Sequence, residues 1–498
     1  MPPLRVSLLA NYIGQGWTAI MNVVFIPVYI RYLGMESYGL VGTFSIVLGA
    51  AVLFDAGMTP TLSREMARFQ AGERTGPDAV DLVRSIEIIS LAIICGLIGA
   101  AFLAAPWVAS HGLGANGLDP ATLRRALFLM VVAATLRIVE GVYRGALLGL
   151  GHHVELNVIA GVAATIRSGG AALSLALIAP RVELFFLWQA AASLLSVVAL
   201  GLATHRALPH IGRRAQFDRR VVAEVRHFAG GMLVITLLGV ALTQADKVVL
   251  VRLLPLREFG FYSVAATVTS GIYQLVGPVS QSYYPPLCAA AARGAMAEVA
   301  RLYHQGAQMV LLVAAPAALT LIFFGKSVLF AWTGDPIFVA RIYMLVRLLA
   351  VGTLLHTMMF TPYQLQIANG WPALSIRVNM VAVLLFVPAL LVLVPRYGVL
   401  AAGSVWIALN AASLAYSVRA THRRLLPTEG RRWLLEDIGR PFAYALAAAL
   451  ALLLLPWGAF GRWGEVPMLV VAGGLLFAAA LLGSTSPRRM ACARLIRS

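Results

Sequence analysis

Charge is scarce in this 498-residue chain: Asp, Glu, Lys and Arg together make up 12% of it, against roughly a quarter in an ordinary soluble domain. The shortage excludes a soluble enzyme, a disordered chain and a nucleic-acid-binding domain. Lysine is nearly absent, with only Lys247 and Lys326, so the basic side is almost entirely arginine. Cysteine is confined to Cys95, Cys288 and Cys492. They lie too far apart for a metal or redox motif, and three cannot build a disulfide framework. Long polar segments are missing too, because no gap between apolar stretches exceeds about 23 residues. That leaves no room for a soluble catalytic domain. The longest external loop, near 106–125, has Asp119 as its only acid, so no acidic cluster of the kind a membrane glycosyltransferase needs is in view. No Gly-rich Lys-Ser/Thr loop for ATP occurs either.

What is present is apolar: 60% of residues are hydrophobic and the mean hydropathy is +0.83. A hydrocarbon core about 30 Å thick takes roughly 20 such residues per helix, and that ruler marks fourteen stretches. They are 8–30, 39–63, 85–105, 126–150, 156–179, 184–204 and 228–251, then 259–288, 306–325, 342–368, 373–394, 398–418, 441–457 and 466–483. The first is longer than the 7–15 apolar residues of a cleaved signal, so it reads as a retained span. The expected class is an all-α integral membrane protein with about 14 transmembrane helices.

The net charge of +18 is a matter of topology, since no basic run is interleaved with aromatics on a soluble domain. Cytoplasmic loops retain Lys and Arg. With the N-terminus inside, the cytoplasmic segments hold 23 basic residues and the external ones 10. Both termini are therefore expected in the cytoplasm. The richest loops, Arg206 to Arg226 and Arg419 to Arg440, suit anionic membrane lipids.

Internal repeats organise the spans. Arg31, Leu33 and Gly39 recur as Arg252, Leu254 and Gly260, at a spacing of 221; Pro60, Leu62, Ala67 and Arg68 recur as Pro285, Leu287, Ala292 and Arg293, at 225. Asn157 answers to Asn379, and Pro180-Arg181 to Pro395-Arg396. The order predicts a six-helix bundle over 1–204, a basic linker at 205–227, a second six-helix bundle over 228–420, a basic loop at 421–440 and two extra helices with a tail over 441–498. Both halves begin inside, so the repeats are parallel, two bundles around a central cavity. Gly230-Gly231, Gly277-Pro278, Pro285-Pro286 and Pro362 are expected to interrupt spans.

An ionised side chain near mid-bilayer costs at least about 2.5 kcal/mol, so each one needs a partner, water or a function. Arg137, Glu140 and Arg144 lie in the fourth span at i, i+3 and i+7, on one helical face. Arg167 lies in the fifth span. In one reading Arg137 and Arg144 pair with Glu140 as a structural network. In the other, three arginines against one carboxylate line a cationic cavity, since the guanidinium fork grips phosphate oxygens and keeps its charge when desolvated. Lys247 and Arg347 are further candidates for substrate binding. Asp55, Glu140 and Asp246 are candidate acids, for H⁺ or Na⁺ coupling or for pairing with arginine. His356 reads as a packing histidine and Arg377 as a snorkelling arginine. No cofactor, no metal and no catalytic residue is expected.

The motifs Tyr32-Leu33-Gly34-Met35-Glu36-Ser37-Tyr38-Gly39, Phe54-Asp55-Ala56-Gly57-Met58 and Ser63-Arg64-Glu65-Met66-Ala67-Arg68 resemble the polysaccharide-biosynthesis branch of the multidrug/oligosaccharidyl-lipid/polysaccharide exporter superfamily. Ala245-Asp246-Lys247-Val248-Val249, Phe259-Gly260-Phe261-Tyr262, the stretch Tyr143 to Gly151 and Pro395-Arg396-Tyr397-Gly398 are similar to the same family. The similarity spans about 8 to 420. It implies a Wzx-type flippase of the bacterial cytoplasmic membrane that moves an undecaprenyl-pyrophosphate-linked oligosaccharide by alternating access. Arg137, Arg144 and Arg167 would then meet the pyrophosphate or acidic sugars, and Asp55 and Asp246 would match acids of the second and seventh spans. Polysaccharide-assembly enzymes are the protein partners implied, and a monomer is the expected state. A multidrug or cation antiporter and a lipid II flippase of the same superfamily stay open as alternatives, with a membrane-embedded glycosyltransferase more distant.

Overall fold

The computed structural model describes residues 4–55, 57–111, 119–458 and 461–485. Cys492, most of the tail and the middle of the loop at 106–125 lie outside the described residues. Those described are mostly helical, without strands, and contacts divide the chain into two compact units, 1–260 and 261–498.

The first unit opens with α1 (Leu4–Val24), α2 (Ile26–Phe54), α3 (Met58–Gln70) and α4 (Gly76–His111). It continues with α5 (Pro120–Gly149), α6 (His153–Leu177), α7 (Val182–Ala207) and α8 (Arg219–Leu253). Helix α9 (Leu256–Ala292) crosses the division. Beyond it come α10 (Met296–Thr333), α11 (Pro336–Thr357), α12 (Phe360–Ala368), α13 (Ala373–Tyr397) and α14 (Val399–Leu425). The chain then forms the short α15 (Gly430–Arg432), a π-helical segment Trp433–Gly439, α16 (Arg440–Leu452) and α17 (Gly461–Gly483). Each of the fourteen apolar stretches falls on helix. Ten segments are long and apolar enough to cross a membrane, and the other four stretches lie on α1, α8, α9 and α16.

Two of the breaks have a local reason. The second span stops at Asp55, and Gly57 takes a left-handed conformation (φ 75°) before α3 begins, a geometry that glycine adopts without penalty. The tenth splits between α11 and α12, where Pro362 has no N–H to give to the carbonyl of Met358. The expected interruptions at Gly230-Gly231, Gly277-Pro278 and Pro285-Pro286 do not occur, since α8 and α9 run through all three. In long helices of this kind, neighbouring groups and small local adjustments re-satisfy the backbone that a proline frees.

Helix α5 sits at the centre of the first unit, against α2, α3, α4 and α7. Gly141, Gly145 and Gly149 recur at i, i+4 and i+8, so one stripe of α5 has no side chains. There α3 presses its backbone in: a Cβ on Gly145 would collide with the carbonyl oxygen of Thr59, and one on Gly149 with that of Ser63. Small residues permit such close approach where lipid removes the hydrophobic drive for helix association. Helix α6 packs on α1 and α7 and is fixed by polar pins. Tyr29 donates to the carbonyl of Ser168 at 2.7 Å, Trp188 to that of Ile166 at 2.9 Å, and Trp17 to the Thr165 hydroxyl at 2.9 Å. In the second unit α10 takes the central place, against α11, α16 and α17, with Tyr303, Leu311 and Ala315 fully buried.

Candidate functional site

The two carbonyls pinned on α6, of Ile166 and Ser168, flank Arg167, so the backbone that carries this arginine is held on both sides. Its Nη2 donates to Oε1 of Glu140 at 2.7 Å, an ion pair between α6 and α5 whose side chains are 11% and 8% exposed. Glu140 is thus taken by the neighbouring helix. The pairing of Arg137 and Arg144 with Glu140, suggested by their spacing on one helix, is absent among the described residues. Arg144, one turn on, is exposed.

Arg137 is left over. It lies about 26 Å along α5, near the middle of the helix at 1.5 Å per residue. Its Nε is buried without a hydrogen-bond partner, and among the described residues its guanidinium makes no ion pair. The charges acting on it are those of Arg167, Glu140 and Arg144. Nε of Arg167 is likewise buried and unsatisfied. Mid-helix, therefore, one carboxylate meets the fork of one arginine, and a second arginine beside it has hydrogen-bonding capacity to spare. A ligand with several anionic oxygens would satisfy both, because the guanidinium offers five donors in a planar fork.

The remaining candidates are placed apart from this group or engaged locally. Asp55 accepts from the Thr59 hydroxyl at 2.7 Å and from the Thr59 N–H at 3.2 and 3.3 Å, so it closes the break ahead of α3. It also stands near Gly141 of α5. Lys247 donates to Gln244 Oε1 at 3.3 Å on α8, and Gln244 packs on Gly49 of α2. Asp246 is half-buried on the same helix. Arg347 lies in the second unit and is exposed on α11. His356 bonds Asn410 through Nδ1 at 2.9 Å and stacks on Trp406, a packing histidine as expected. Arg377 is exposed at the start of α13.

Sequence reasoning missed several buried acids near helix ends. Glu65, 1% exposed, gathers Arg68 at 3.2 Å and Arg74 at 3.3 Å, with Arg64 at 3.8 Å. Asp81 receives both arms of Arg213, at 3.1 and 2.5 Å, and the Gln216 N–H at 2.9 Å. The basic linker is thereby strapped to α4, and the Asp81 carboxylate holds the Arg213 guanidinium above its ordinary value. Glu87 accepts from Tyr143 at 2.8 Å and meets His205 at 2.8 Å. In the second unit His304 is clasped between Asp437 and Glu429, and Gln308 ties Asp437 to Thr485. No group of three or more metal-ligating side chains is found among the described residues.

A helical membrane protein with broken spans, stripes of glycine and arginine held in its interior has the fold of known transporters. A multidrug resistance transporter of the MATE family within the MOP superfamily, solved inward-facing, superposes with a TM-score of 0.65 at 16% identity, covering 83% of this chain and 96% of that one. The lipid II flippase MurJ, in an inward closed conformation, superposes with a TM-score of 0.69 at 11% identity, covering 95% and 97%. The MATE multidrug transporter DinF-BH gives 0.58 at 16%, covering 84% and 95%. Among curated proteins none matches. The chain belongs to the polysaccharide biosynthesis protein family, whose model matches residues 6–290.

Proposed function

We propose that this protein is a flippase that carries an oligosaccharide linked to undecaprenyl pyrophosphate across the bacterial cytoplasmic membrane, for assembly of a surface polysaccharide. Alternating access of two repeat-related six-helix bundles, 1–204 and 228–420, would carry the head group, with both termini in the cytoplasm. A diphosphate and a hydrated glycan cannot cross hydrocarbon unaided, whereas the polyprenyl tail can stay in lipid. The observation that carries the reading is Arg137, half-buried in mid-helix with its Nε unbonded and no ion pair of its own among the described residues, since Glu140 is taken by Arg167. Such a charge costs at least about 2.5 kcal/mol on insertion scales, and a passing diphosphate is a ligand that repays it. Family membership supports the polysaccharide context. An antiporter for cationic drugs would be served poorly by surplus arginine.

Depletion of the protein in its host tests this, with lipid-linked oligosaccharide measured leaflet by leaflet using a probe applied to the periplasmic side of spheroplasts. Accumulation on the cytoplasmic side, reversed by the wild-type gene, is expected. An unchanged leaflet distribution together with altered drug sensitivity would overturn the reading.

A further inference from the structure

At the end of the first unit away from the basic linker, the turn between α6 and α7 overhangs a groove of about 490 Å³. Its apolar floor is made by Phe128, Leu129, Leu184 and Leu187, and its rim carries Arg125 and Arg181. The floor opens onto strongly exposed apolar surface: Ile178 is 70% exposed and Leu187 52%. In a spanning bundle such residues face acyl chains. Arg125 lies in the second turn of α5 and Arg181 at the N-cap of α7, where a helix leaves hydrocarbon for the head-group layer.

The charges of the rim do not cancel. Glu183 faces Arg125 at 3.8 Å, too long for a hydrogen bond. Arg181, the other arginine of the lining, makes no ion pair among the described residues. Asp119 is not part of the lining and caps α5, accepting from the Thr122 N–H at 3.2 Å. Two guanidiniums and one carboxylate therefore line an apolar slot, leaving it net positive. The matching ligand has an anionic phosphate at the height of the arginines and hydrocarbon directly beneath.

We propose that this groove between α5 and α7 is a binding site for an anionic phospholipid, with Arg125 and Arg181 on the phosphate and the apolar floor under the first acyl segments. The site is separate from the Arg137 group and from the basic linker after α7. Lipid bound there would bridge α5, which carries Arg137, to the α6–α7 turn.

Purified protein reconstituted in nanodiscs of mixed POPG and POPC, then transferred to detergent for native mass spectrometry, tests the assignment. Wild type is expected to retain POPG over POPC. Arg125→Gln and Arg181→Gln should each lower POPG retention about fivefold, and the double variant about 25-fold, at the energy of one membrane-proximal arginine each. Both substitutions lie on exposed side chains and should leave the protein monodisperse. Leu187→Gln, which keeps both arginines, should also lower POPG retention. Equal retention of POPG and POPC by wild type would overturn the proposal. So would a double variant that keeps POPG as wild type does.

Discussion

Gly39 and Gly260 occupy equivalent positions of the two sequence repeats, 221 residues apart, and each closes against the backbone of the other repeat. A Cβ on Gly39 would collide with the carbonyl oxygen of Leu256, and one on Gly260 would stand 2.8 Å from that of Met35. Met35 and Leu256 are themselves 221 apart. The contact is reciprocal, as between surfaces related by a two-fold axis, and it gives the sequence repeat a physical counterpart.

At Gly39 the obstacle to a side chain is backbone, which cannot swing aside. Gly39→Ala should destabilise the protein by about 1 to 3 kcal/mol, the usual range for overpacking. Gly96 of α4 faces open space, so Gly96→Ala should be neutral or stabilising by up to about 1 kcal/mol. Thermal midpoints in detergent compare the two. The same reasoning makes Gly145→Ala and Gly149→Ala costly, because they would drive α3 from α5.

The Glu140–Arg167 pair gives a cycle. Removing Glu140 alone leaves the Arg167 guanidinium without its partner, and Glu140→Gln should cost about 3 to 5 kcal/mol. Adding Arg167→Gln should recover most of the loss. A denaturant titration of the single and double variants measures the coupling, and additive effects would show that the pair does not hold α5 to α6.

The linker between α7 and α8 is held by Asp81, 4% exposed. Asp81→Asn should release it, and trypsin should then cut after Arg213 or Arg214 several-fold faster than in wild type. Equal cleavage rates would mean that the strap contributes nothing in solution.

In the second unit, His304→Phe removes the partner that Asp437, fully buried, shares with Glu429. A cost of about 3 kcal/mol is expected for an orphaned buried charge. The exposed His152–Glu155 pair at 3.0 Å provides the contrast, since His152→Ala should shift stability by less than about 1 kcal/mol. The two thermal midpoints decide.

Much of the fold is legible in the sequence because the bilayer imposes a length. Fourteen apolar stretches become helices, and Arg137, Glu140 and Arg167 fall mid-helix where spacing puts them. The partner of Glu140 was not legible. Positions 137 and 144 are its neighbours on one helix, but Arg167 reaches it from another, along a line fixed by Tyr29 and Trp188. The breaks were legible only in part. Pro362 breaks its span and Pro285-Pro286 does not, because the consequence of a missing hydrogen bond depends on packing that no local pattern records. Glu65, Asp81 and His304 were overlooked because they lie near helix ends, where the sequence offers water as their partner and the fold supplies arginine or aspartate instead.

The central claim is that Arg137 is kept without an ion pair of its own for the sake of a diphosphate. Proteoliposomes loaded with undecaprenyl-pyrophosphate-linked oligosaccharide, carrying wild type, Arg137→Gln or Arg137→Lys, test it through the rate of leaflet exchange beside the thermal midpoint. Arg137→Gln should keep or raise the midpoint, since a charge without an ion pair is removed, while exchange slows roughly 10- to 100-fold through loss of one charge-assisted contact. Arg137→Lys should fall between the two. Exchange at the wild-type rate in Arg137→Gln, or a fall in midpoint that accounts for the lost exchange, would contradict the claim and make Arg137 a structural residue.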